Sequence, residues 1–180
     1  MPAADLTPGF FGKIPATGDF VSRRLAGDFV RFWDQFAVRH LVPLLAAGRW
    51  GREMGLSFML GREAHGPMTG LVLASCDRIG RQFPLTIAAP LRFPSMGIPA
   101  AAGGWFVAIH QAARGAQEGR VGPDELATEL AMLPFPSDGA PGAPVRGLVL
   151  WTSLSDLVET DPDAPRAALE RVFAFSREVG

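Results

Sequence analysis

The sequence predicts an α+β domain, a mostly antiparallel sheet with helices packed on its faces in an α/β/α-like sandwich. Three observations carry this reading. Short apolar runs at 56–60, 68–74 and 85–91 follow one another across turn-rich connections, the pattern of a β-meander. Longer segments at 28–45, 103–117 and 123–133 place apolar residues three and four apart, as helices with one buried face do. The 180 residues, 48% hydrophobic and 19% charged, suit a single globular domain over 1–180 with a sizeable core.

Each element has its own local reasons. Phe10 and Phe11 open the fold after a loose leader. Gly12, Pro15 and Gly18 then exclude a helix, so the segment reads as a short strand and a turn that Phe20 and Val21 anchor to the core. In the helix at 28–45, Phe29, Phe32, Trp33, Phe36, His40 and Leu41 form the buried stripe, with Val38 on its flank; His40 reads as a packed or capping residue, and Asp28 serves as N-cap. Pro43 kinks or shortens its last turn. Gly61–Pro67 is a turn-rich connection. Pro94–Pro99 reads as a linker, and Gly119 ends the helix at 103–117. Pro123 fits the first position of the next helix, and Asp124 and Glu125 suit the positive end of its dipole. Pro134–Pro144 is a Pro/Gly-rich loop long enough to move. A strand at 145–151, an acidic loop at 156–165 and a last helical or extended segment at 165–175 complete the chain.

Charge and cysteine content narrow the function. The net charge of −1 points to neither nucleic acid nor an anionic membrane as partner. Residues 1–92 carry +4 and residues 93–180 carry −5, a polarity that suits a protein partner unless folding mixes the halves. A single cysteine, Cys76, permits no internal disulfide. Met1–Pro8 has no charged-then-apolar leader, and no apolar run reaches the ~20 residues of a membrane span, so a cytoplasmic location is expected.

No catalytic constellation emerges. The Gly12-Lys13 pair fails as a phosphate loop, because position 7 is Thr7 and Ile14 follows the lysine. His40, His65 and His110 are scattered, and no metal-ligand spacing surrounds them. Cys76 has no histidine fixed beside it and reads as a small buried residue. Asp156, Glu159, Asp161 and Asp163 lack the glycine and distal glutamate of a calcium loop. The expectation is no catalytic residue, no metal and no cofactor.

What remains are two charged turn segments. Between the strands at 68–74 and 85–91 lies Ser75-Cys76-Asp77-Arg78-Ile79-Gly80-Arg81-Gln82-Phe83-Pro84-Leu85, with Gly80 at a position that other residues would resist. Lys13, Asp19, Asp77, Arg78 and Arg81 meet in one cluster where the two loops approach. Such a cluster either fixes loop geometry or docks an acidic or phosphorylated segment of a partner.

Gly9–Val21 (Gly-Phe-Phe-Gly-Lys-Ile-Pro-Ala-Thr-Gly-Asp-Phe-Val) resembles the N-terminal signature of the TagF/ImpM family of type VI secretion accessory proteins. Ser75–Leu85 resembles its second signature at the expected distance, and the aromatic helix around Trp33 fits between them. The resemblance covers residues 8–92 well and the remainder loosely. It implies a cytosolic, non-enzymatic accessory protein, often a negative post-translational regulator, linked to the forkhead-associated scaffold protein of the threonine-phosphorylation pathway or to other secretion components. Some members are fused to a PP2C-type phosphatase, for which this chain has no room. The family supplies no catalytic residues to carry over. Two rival readings stand beside it: an enzyme handling a small ligand or phosphoryl group with the Lys13/Asp19/Asp77/Arg78/Arg81 cluster, which would need a deep pocket there, and a structural subunit of the secretion machine, which would need extensive self-contact.

Overall fold

The computed structural model describes residues 5–136 and 139–174. Its centre is the expected meander of β3 (Leu56–Leu60), β4 (Met68–Leu73) and β5 (Leu85–Pro90). The sheet is wider than the apolar runs alone suggest. β1 (Gly9–Gly12) pairs with β5, β2 (Val21–Arg23) with β1, β6 (Leu148–Trp151) with β3 and β7 (Val158–Thr160) with β6. The result is one seven-stranded sheet in the order β2-β1-β5-β4-β3-β6-β7, antiparallel at every pairing.

The sheet is buried on both faces, which explains why its central strands are mostly apolar, with only Ser57, Thr69 and Thr86 as polar residues, instead of alternating regularly. Successive side chains still diverge to opposite layers. Along β6, Leu148 and Leu150 face one core while Val149 and Trp151 face the other. The first core packs β1, β3, β4 and β5 against α4 (Gly103–Gln117) and α5 (Pro123–Ala131), through Trp105, Phe106, Ile109, Leu126 and Leu130. The second packs the other face against α1 (Gly27–Phe36), α2 (Val42–Ala46) and α6 (Arg166–Ala174). At its middle, the fully buried Trp33 stacks on Phe58 and donates its indole N–H to Thr86 Oγ1 at 2.7 Å.

Several local expectations are corrected. The helix at 28–45 is not continuous: a π-helical turn, Ala37–Leu41, separates α1 from α2. Pro43 has no N–H for the α-helical ladder, and the register shifts in the turn just before it. Val38 falls on the exposed side of that turn. Asp28 is not the cap; Ala26 holds that position, and Asp28 lies 3.6 Å from the His65 imidazole instead. The acidic loop at 156–165 contains β7, because β6 would otherwise present an open edge. The strand expected at 145–151 starts only at Leu148, since the Val145 N–H donates to the Pro94 carbonyl. The linker at 94–99 runs into a short helical turn, α3 (Ile98–Ala101). α5 ends at Ala131, two residues early. Cys76 is half-buried and not a core residue. Residues 137–138 of the loop expected to move, and Phe175 of the last segment, lie outside the described residues.

Candidate functional site

β1 and β5 run side by side, so the loops leaving β1 and entering β5 are brought to the same end of the sheet. Gly12 makes their close approach possible. Its φ is +140°, and a Cβ there would land on the Pro84 carbonyl oxygen, so only glycine fits without displacement. Beyond this crossing the loops are tied by three side-chain to backbone bonds and one between backbones. Ser75 Oγ donates to the Lys13 carbonyl at 2.7 Å, and the Arg78 guanidinium donates to the Ala16 carbonyl at 2.8 Å. Arg81 Nη2 donates to the Gly18 carbonyl at 2.8 Å, and the Arg78 N–H to the Thr17 carbonyl at 2.8 Å.

Asp77 is the hub. It is 1% exposed, and four donors converge on its carboxylate. Oδ1 accepts the Ile79 and Arg81 backbone N–H groups at 3.1 and 2.9 Å. Oδ2 accepts Arg81 Nε at 2.7 Å and lies 3.2 Å from Lys13 Nζ. The Asp77 N–H closes the loop onto the Arg81 carbonyl, and the Gly80 N–H donates to the Asp77 carbonyl. Gly80 turns this corner at φ +86°. Burial pushes the Asp77 carboxyl toward a higher pKa, but the Arg81 backbone and side chain, Lys13 and the Ile79 N–H outweigh it. The group is held well below the usual carboxylate range.

Of the five residues singled out in the sequence, Lys13, Asp77, Arg78 and Arg81 come together in this clip. Asp19 does not join as an ion pair; its Oδ1 accepts the following Phe20 N–H at 2.7 Å on the exposed side of the loop. Phe20 seals the clip from outside. Its ring lies 4.9 Å from Lys13 Nζ, stacks on Phe11 and meets Phe83 edge-on. Between the two arginines Ile79 projects into solvent, 72% exposed.

Two contributors escaped the sequence reading. Ser75 was given no role as the first residue of the second segment, yet its hydroxyl fixes the Lys13 backbone. Gln117, 1% exposed at the end of α4, donates to the Ala74 and Arg52 carbonyls at 2.6 and 2.7 Å and so holds the base of the second loop. A polar residue ending an otherwise apolar helical face was the signal for it. The three histidines stay apart. Burial lowers the pKa of His40 and His110, with Arg39 and Arg114 adding to the effect. Among the described residues no three His, Cys, Asp or Glu side chains gather as metal ligands, and no helix is long and apolar enough to cross a membrane.

The two loops are thus locked together at one end of an antiparallel sheet that is covered by helices on both faces, in a domain of the α+β class. The sequence profile of the TagF N-terminal domain, type VI secretion system-associated, matches residues 9–133, and the chain belongs to that family. The fold is similar to the crystal structure of PA0076 from Pseudomonas aeruginosa PAO1, with a TM-score of 0.61 and 26% identity over 91% of this chain and 76% of that one. No curated protein matches in sequence.

Proposed function

We propose that this protein is a non-enzymatic regulator of a type VI secretion system. It acts in the cytoplasm, after translation and in the negative sense, by binding a forkhead-associated scaffold component. The observation that carries the binding reading is the state of Asp77. A carboxylate that serves as base, nucleophile or metal ligand must reach a substrate; this one is enclosed, with its acceptor positions taken by Lys13, Arg81 and two backbone N–H groups. The clip therefore supports geometry, and what it offers a partner is its outer surface. There Arg78, Ile79 and the half-exposed Arg81 surround one apolar side chain with two cations. Exposed apolar groups ringed by arginine are common at the centres of protein interfaces.

The test is direct binding between the purified chain and the forkhead-associated component of the same secretion system, paired with effector export from cells that overproduce the chain. Complex formation and reduced export are expected, and Ile79→Asp, which touches no core group, should abolish both while melting like the native protein. A native chain that neither binds the component nor alters export overturns the reading. So does an Ile79→Asp variant that binds and represses normally, as far as this surface is concerned.

A further inference from the structure

The opposite end of the sheet carries a second surface that the clip does not explain. Leu60 pairs with Met68 and Met68 with Pro90, so the C-terminal ends of β3 and β5 lie together at the start of β4, a full strand length from Asp77. The segments leaving these strands, with the one entering β6, enclose a cleft of about 440 Å³ lined by Arg62, Glu63, Arg92, Phe93, Pro144 and Arg146. The walls are fixed by backbone bonds. Val145 N–H donates to the Pro94 carbonyl at 3.0 Å, Met96 N–H to Ala143 at 2.9 Å and Glu63 N–H to Arg146 at 3.1 Å. Phe93 is 63% exposed despite this scaffold, with a proline next to it on each wall.

The charges here differ from those of the clip. Arg81 is paired with a buried carboxylate, but among the described residues no carboxylate pairs with the guanidinium groups of Arg62, Arg92 and Arg146. The nearby Glu159 is engaged otherwise, its Oε1 accepting the Arg146 and Gly147 backbone N–H groups at 3.2 and 3.4 Å. Three forked donors around an uncovered aromatic ring fit carboxylates flanking an apolar side chain. Glu63 in the lining, and Glu159 on the backbone of Arg146 behind it, disfavour a uniformly charged polyanion such as nucleic acid.

We propose that this cleft is a second docking site, for an acidic protein segment that carries an apolar anchor residue against Phe93. The site is independent of the Arg78–Ile79–Arg81 surface. It gives the protein two binding ends, one for each of two partners or for two segments of one.

The experiment uses two labelled synthetic peptides, Glu-Asp-Phe-Glu-Glu and Glu-Asp-Gly-Glu-Glu, in fluorescence anisotropy with the whole chain at low and physiological salt. The Phe peptide should bind at least about tenfold more tightly than the Gly peptide, and binding should weaken with salt. Phe93→Ala and Arg92→Glu should each reduce binding by about tenfold or more with an unchanged melting temperature, since both side chains lie on the surface. Ile79→Asp should leave it intact. No binding by the native chain, equal binding by both variants, or equally tight binding of a single-stranded oligonucleotide each overturns the proposal. Because no secretion component enters the assay, its failure is separate from failure of the regulator reading.

Discussion

Three glycines in the two signature loops sit in different physical situations, and alanine at each should have a different cost. At Gly18 φ is not positive and a Cβ would meet nothing within 4 Å, so Gly18→Ala should change stability by no more than about 0.5 kcal/mol. Gly80 has φ +86° but open space, so only backbone strain counts; less unfolded-state entropy offsets part of it, leaving a loss of about 1 kcal/mol. Gly12 combines φ +140° with the collision on the Pro84 carbonyl, which belongs to a buried strand entry and has no flexible end to move. Strain of about 1–3 kcal/mol plus displacement of the β1–β5 crossing gives a loss of about 3–5 kcal/mol. At about 2–4 °C per kcal/mol for a chain of this size, Gly12→Ala should melt about 6–20 °C below the native protein, Gly80→Ala about 2–4 °C below and Gly18→Ala close to it. Differential scanning fluorimetry at neutral pH measures all three. If Gly12→Ala melts within about 2 °C of the native protein, or Gly18→Ala is the worst of the three, the crossing at Pro84 does not hold the loops as described.

Other consequences concern the hub and the cores. Asp77 has a folded pKa below its unfolded value of about 3.9, so its contribution to stability is complete above that pH and is lost as pH falls through the folded value. Native protein should therefore lose melting temperature steeply below about pH 4, whereas Asp77→Asn should start lower at neutral pH and show a flatter acid profile. Trp33→Phe removes the donor to Thr86 and part of a fully buried ring, at a cost of about 2–4 kcal/mol by urea denaturation. Adding Thr86→Val should return about 1 kcal/mol of that loss, and purely additive effects would contradict the hydrogen bond. Gln117→Leu, which takes the side-chain donor from the buried Ala74 carbonyl and one donor from the Arg52 carbonyl, should lower the melting temperature more than Arg120→Ala on the exposed end of the same segment.

How far the sequence can be read depends on whether a residue's role is local. The three central strands, α4 and the start of α5 were legible because each carries its own periodicity and its own boundary signal, such as Gly119 at a helix end or Pro123 at a helix start. The helix at 28–45 was legible as a buried stripe but not as three pieces, because a single π-helical turn ahead of Pro43 leaves the apolar spacing almost unchanged. β7 was invisible because Val158-Glu159-Thr160 has no strand pattern strong enough to stand alone; it becomes a strand only when Leu150 and Leu148 offer a ladder. In the clip, the charge content of both loops was evident and the meeting of Lys13 with Asp77 followed from it. The exclusion of Asp19 was not, because side-chain direction in an irregular loop has no periodic signature.

The family match stops at residue 133, yet β3 lies inside the sheet only because β6 covers its far edge. Without residues 148–151, five consecutive buried residues of β3 would become an open apolar edge, the kind that pairs with other chains. The second core would also lose Leu148, Leu150 and the whole apolar face of α6, leaving Trp50 without Phe173 and Phe58 without its β6 neighbour. The segment after the match is thus a working layer of the fold. Its entry into β6 at residues 144–146 is also what forms one wall of the arginine cleft. The segment beyond the family match therefore completes the surface proposed to choose a partner, whereas the matched segment builds the clip that shapes the other end.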